Sequence, residues 1–228
     1  MNDYFWFAVL PYVSLVVFFL VTIRRYRMAS FSYSSLSSQF LENQQHFWGS
    51  VPFHYGILTV LGGHVLAFLF PKVILGWNAA PLRLILLEVT GLAVAILTLV
   101  GLGNIVIRRL RFPKARRVTT WGDWFIYGGL LVQVVSGIAI ALKHNWGSSW
   151  FATSLSPWLW SLIWLNPDVG YVAAMPLLVK VHIVNAFLII LVFPFTRLVH
   201  ILVIPNPYLW RRTQVVLWNW DRSRIRKV

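Results

Sequence analysis

No cysteine occurs anywhere in the chain. That absence removes covalent c-type haem attachment, which needs C-x-x-C-H, and any iron–sulfur cluster held by thiolates of this chain. Acidic residues are scarce as well, only 6 among 228, so a zinc site of the usual kind, rich in sulfur or carboxylate, has few ligands to draw on. Charge of both signs is thin: 11% of residues are charged, against roughly 25% in soluble domains. Internal repeats and low-complexity tracts are also absent, and no stretch is left over for a soluble domain.

What is present is apolar. Hydrophobic residues make up 58% of the chain, with 13 Trp and 16 Phe, which marks an integral membrane protein. The formal net charge is +14. In such a chain a basic excess need not mean nucleic acid, because Lys and Arg collect in cytoplasmic loops. Five stretches are long enough to cross about 30 Å of hydrocarbon: roughly 5–23, 51–70, 84–107, 123–142 and 176–204. The expected fold is an all-α bundle of five transmembrane helices. The first run is preceded by Asp3 rather than by basic residues and no small-residue cleavage site follows, so it is expected to stay as a span.

The basic residues orient the bundle. Arg24, Arg25 and Arg27 follow the first span; Arg108, Arg109, Arg111, Lys114, Arg116 and Arg117 join the third and fourth; Arg211, Arg212, Arg222, Arg224, Arg226 and Lys227 close the chain. The opposite loops carry Lys72, Arg83 and Lys143. The positive-inside rule then places the N-terminus outside and the C-terminus in the cytoplasm. "WFATSLSPWLWSLIWL", residues 150–165, is short for a span and carries Pro157; it reads as a segment at the outer interface, where Trp rings prefer to sit. "SFSYSSLSSQ", residues 30–39, reads as a polar inner loop.

Against this map the six histidines separate. His46 and His144 fall in loops and read as solvated side chains. His54 and His64 lie in the second span, His182 and His200 in the fifth. A single membrane imidazole can simply bond a neighbouring helix, but these four form pairs. His64 lies about 15 Å further out than His54 at 1.5 Å per residue, and His200 about 27 Å further in than His182 if the helix is straight. Antiparallel spans therefore set His64 level with His182, and His54 level with His200. Eighteen residues are about five turns, so His182 and His200 share a face. The unequal rises call for tilt, unequal reach or a kink at Pro194.

Two stacked His–His sites suit haem, which needs only two axial imidazoles, and non-covalent b-type haem fits best. Gly56, Gly62 and Gly63 would leave room for the macrocycle. With both axial positions filled, the available chemistry is electron transfer.

Three stretches carry a resemblance: "FHYGILTVLGGH", "RRLRFPKARRVTTWGD" and "VHIVNAFLIILVFPFTRLVHILVIP", with "SSQFLENQ" more loosely. They resemble the gamma, or cytochrome b, subunit of membrane-bound respiratory nitrate reductase, over about residues 4 to 210. The resemblance implies that His64 and His182 ligate an outer, distal haem b, and His54 and His200 an inner, proximal one. It implies oxidation of a quinol, menaquinol or ubiquinol, near the distal haem. Electrons would then pass inward to an iron–sulfur beta subunit and a molybdenum catalytic alpha subunit, in a bacterial or archaeal cell membrane.

The family's quinol site has a basic residue just before the third span. Arg83 is the nearest match, though as an outer arginine it could equally snorkel to headgroups. Arg197, three residues before His200, could meet a haem propionate or simply obey the positive-inside rule. The division expected is a membrane domain over 1–205 and a basic tail over 206–228 that docks soluble subunits or anchors to lipid. The same scaffold could serve a heterodisulfide- or sulfite-reductase-type partner. A transporter or anchor is the reading from a different class, and it would want an intramembrane acid linking the histidines; Asp3, Glu88 and Asp123 are not placed to do so.

Overall fold

Ten helices punctuate the residues that the structure, a computed structural model, describes: 2–29, 32 and 44–202. Five are long and apolar enough to cross a membrane. In chain order the helices are α1 (Phe5–Met28, its first turn π-helical), α2 (Gln44–Leu69), α3 (Pro71–Asn78), α4 (Pro81–Arg111), α5 (Pro113–Arg117), α6 (Trp121–Lys143), α7 (Gly147–Trp150), α8 (Ser156–Ile163), α9 (Gly170–Ala173) and α10 (Leu177–Val192). The long ones are α1, α2, α4, α6 and α10. Proline opens α3, α4 and α5 at the first turn, where its missing N–H costs nothing. Thr120 and Asp123 close a capping box at the start of α6.

The spans pack as a series, α2 on α4, α4 on α6, α6 on α10 and α10 on α1. The α2–α4 contact is the closest, and glycine makes it so. A Cβ on Gly56 would press on Thr98, and one on Gly101 would lie 2.7 Å from Phe53 Cα, so the two backbones meet where small residues permit. Gly56 therefore serves the α2–α4 seam and not a cofactor, contrary to the expectation from sequence; Gly62 and Gly63 do face open space. α2 and α10 are not among the closely packed pairs. Much of the outside is apolar, with Leu20 and Leu58 both more than half exposed, as lipid contact requires. This is a multi-pass membrane protein.

One span differs from the sequence expectation. The fifth span does not run as one helix to residue 204. α10 ends at Val192, a 3-10 turn spans Phe193–Phe195, Thr196 is extended, and a second 3-10 stretch covers Arg197–Leu202. Pro194 is the cause: it has no N–H to continue the ladder. Arg25 of α1 donates to the Pro194 and Thr196 carbonyls and so holds the broken segment.

The Trp-rich segment is helical, is not one of the five long apolar helices, and packs into one end of the bundle. Gly147–Trp150, a π-helical turn Phe151–Leu155 and Ser156–Ile163 follow one another. Trp158 is 1% exposed, packed against Phe7 and Phe187. Its indole N–H donates to the Phe7 carbonyl, that of Trp160 to Phe68, and the Ser156 hydroxyl to Ala67. These rings close one end of the bundle because each polar tip finds a carbonyl there.

Most of "SFSYSSLSSQ", most of "SSQFLENQ" and the tail 206–228 lie outside the described residues.

Candidate functional site

His54 sits in the lower half of α2, and His200 in the 3-10 stretch beyond the break. Their ring centroids are 6.2 Å apart, with planes at 69°. The break makes this possible: a helix continued to residue 200 would carry that side chain further on, by about 1.5 Å per residue. The kink invoked at Pro194 is thus a full interruption, and His182 and His200 do not share one helical face.

His64 and His182 are the other pair expected from sequence. The His64 ring meets Phe151 edge-on at 5.4 Å. His182 rests on α6, where Ser136 Oγ is 2.8 Å from its Nδ1 and Gln133 Nε2 is 3.0 Å from its Nε2. Gly137 lets the Cε1 edge of the ring approach α6, since an added Cβ would be 3.1 Å from His182 Cε1.

The ring nitrogens are assigned by their partners. Nδ1 of His54 lies 2.7 Å from the Ser50 carbonyl, that of His64 2.8 Å from Val60 and that of His200 2.6 Å from Arg197. A carbonyl can only accept, so each Nδ1 carries the proton and each Nε2 keeps its lone pair. This is the tautomer of a metal-ligating histidine, oriented through its other nitrogen.

The residues fit haem b on three observations. Each level offers two imidazoles, and the macrocycle would supply the remaining iron ligands. The 6.2 Å between the His54 and His200 rings matches two nitrogen–metal bonds of about 2 Å plus the depth of the rings. The helices α2 and α10, which carry three of the four histidines, are left without close mutual packing while Gly62 and Gly63 are open. No cluster of three or more His, Cys, Asp or Glu side chains is assembled among the described residues, so the donor set does not suit zinc. At His182 the Gln133 amide points at Nε2, and it must turn aside for that nitrogen to meet iron.

The other candidates are placed as follows. Arg83, at the start of α4, is exposed; its guanidinium lies 5.4 Å from the Trp77 ring centre and donates to the Gly76 carbonyl. Arg197 pairs with Asp123 at 2.6 Å and donates to the Val118 carbonyl. His46 belongs to the first turns of α2 and not to a loop. His144 lines a cleft of about 390 Å³ with Lys143, Asn145, Trp150 and Val179, one helical turn from His182. Four relevant residues escaped the sequence reading: Gln133, Ser136, Lys180 and Asn185. Lys180 bonds Asp3 at 2.9 Å. The signal for Gln133 and Ser136 was a small and polar stripe on α6, Gly129, Gln133, Ser136 and Gly137, at helical spacing.

Comparison with known proteins gives the family. Residues 3–219 match the nitrate reductase gamma subunit family. The nitrate reductase gamma chain of Bacillus subtilis is 31% identical over 208 residues, 90% of this chain and 93% of that one. The respiratory nitrate reductase 2 gamma chain of Escherichia coli is 30% identical over 216 residues, covering 93% and 95%. The nitrate reductase-like protein NarX of Mycobacterium tuberculosis is 30% identical over 219 residues, 92% of this chain but 33% of that longer protein. The chain belongs to the nitrate reductase gamma subunit family, as a membrane electron-transfer subunit.

Proposed function

We propose that this chain holds two non-covalent b-type haems, oxidises quinol at one end and delivers the electrons at the other. His64 and His182 ligate the distal haem, His54 and His200 the proximal one. The observation that carries the reading is the His54–His200 approach at 6.2 Å, with both Nδ1 protons committed to carbonyls and both Nε2 lone pairs kept for a metal. Haem supplies one-electron chemistry between its ferric and ferrous forms. The protein's own part is to fix four imidazoles in the ligating tautomer and to exclude a vacant coordination site.

On the positive-inside reading the His64/His182 end faces outside. A quinol head group arriving there meets Arg83 and the cleft of Lys143, His144 and Asn145. The two protons released on its oxidation leave on that side. Exposed basic residues crowd the other end, among them Arg24, Arg27, Arg111, Lys114, Arg116 and Arg117. That basic surface favours an acidic soluble partner, and the partners we assign are an iron–sulfur beta subunit and a molybdenum catalytic alpha subunit. Arg197, three residues before His200, is assigned to a propionate of the proximal haem in addition to Asp123. The tail 206–228 is assigned to docking.

Single variants in membranes, reduced by an added quinol, test the reading. His64→Ala or His182→Ala should abolish haem reduction by quinol. His54→Ala or His200→Ala should leave the distal haem reducible but stop electrons reaching nitrate. The reverse phenotypes would overturn the assigned orientation.

A further inference from the structure

The hydrogen bonds around His182 differ in kind from those at the other three histidines. His54, His64 and His200 each give the Nδ1 proton to a carbonyl of their own chain segment, three or four residues back. His182 turns instead to a neighbouring helix.

Proton accounting fixes the direction of every bond there. The Ser136 hydroxyl has one hydrogen, and it goes to the Gln133 carbonyl at 3.1 Å. Ser136 Oγ must then accept, so the Nδ1–H of His182 donates to it at 2.8 Å. Nε2 of His182 keeps its lone pair and faces the Gln133 amide N–H at 3.0 Å. The Gln133 orientation is set in turn, because its Oε1 accepts from Asn185 Nδ2 at 2.7 Å, which also reaches the Gly129 carbonyl at 2.9 Å. Every donor is matched to an acceptor.

We infer that Ser136 is the positioning residue for His182, setting its tautomer and ring plane from α6 and tuning the haem that His182 ligates. The inference rests on the haem assignment above. An acceptor on Nδ1–H shifts electron density into the imidazole and raises its basicity, which stabilises ferric iron and lowers the potential. Removing the acceptor moves the potential up. Because the other three histidines use carbonyls of their own segments, the effect is confined to one haem, and it makes the distal ligand depend on the α6–α10 seam.

The test is a potentiometric titration of the haems in the intact membrane complex, comparing wild type, Ser136→Ala, Ser136→Thr and Gly137→Ala. Ser136→Ala should raise the midpoint potential of the haem that His182→Ala removes, and leave the other where it was. Ser136→Thr keeps the hydroxyl and should restore the wild-type potential. Gly137→Ala, which pushes on the ring and keeps the acceptor, should alter the electron paramagnetic resonance spectrum of the same haem through the ring plane. Should Ser136→Ala lose that haem, retention at the wild-type potential in Ser136→Thr gives the same support. Identical behaviour of the Ala and Thr variants, or equal shifts in both haems, would overturn the assignment of Ser136. If His182→Ala leaves the haem spectrum untouched, the haem assignment itself fails, a distinct result.

Discussion

Arg197 and Asp123 form an ion pair at 2.6 Å that ties the segment carrying His200 to the first turn of α6. Asp123 is 2% exposed and also accepts the backbone N–H of Thr120 in the capping box. Two tasks therefore meet on one carboxylate. Asp123→Ala leaves a partly buried guanidinium without its anion and removes a cap, and should cost about 3 kcal/mol or more. The haem at the His54/His200 level should be weakened while the other is kept. Thermal unfolding in detergent, with haem content read on the same sample, checks both parts.

The α2–α4 seam gives a prediction about packing alone. Gly101→Ala would drive a methyl group against Phe53 Cα and the Gly49 carbonyl, at 2.7 and 2.9 Å. Backbone atoms cannot swing aside as a side chain can, so the cost should be about 1–3 kcal/mol. Gly103→Ala, two residues on, meets nothing within 4 Å. It should be neutral or slightly stabilising, since Ala is the better helix former. Equal melting temperatures for the two variants would refute the close approach.

These contrasts show what could be read from sequence and what could not. Five spans were legible because each is a long apolar run, and counting along antiparallel helices suggested that His54 and His200 could meet. The stop after Val192 was not, since "FPFTRLVHIL" stays apolar and hydropathy runs straight across it; only Pro194 hinted at a break. The Trp-rich segment reads from composition only as too short for a span and rich in a residue that prefers interfaces. Which carbonyls satisfy Trp158 and Trp160 depends on tertiary packing. Gly56 looked like one of three glycines beside a cofactor, yet helix rotation turns it toward Thr98. Ser136 and Gln133 were hidden within an apolar helix whose histidine partner lies 46 and 49 residues away.

The basic tail separates docking from haem binding. All four proposed ligands precede residue 205, so truncation after Pro205 should leave the haem content unchanged while lowering the amount of soluble subunits retained on the membrane. Quantifying co-purified subunits against haem in the same preparation measures this. Loss of both haems on truncation would contradict the division of the chain at that point.

The central claim is that four histidines make two haem sites, and a count tests it most directly. Haem extracted from the purified, quantified chain in acid acetone, assayed as its pyridine adduct, should amount to two b-type haems per polypeptide, with none left attached. His54→Ala and His182→Ala should each retain one, and the double variant none. A wild-type ratio of one or zero, or haem that stays with the polypeptide after extraction, would contradict the account.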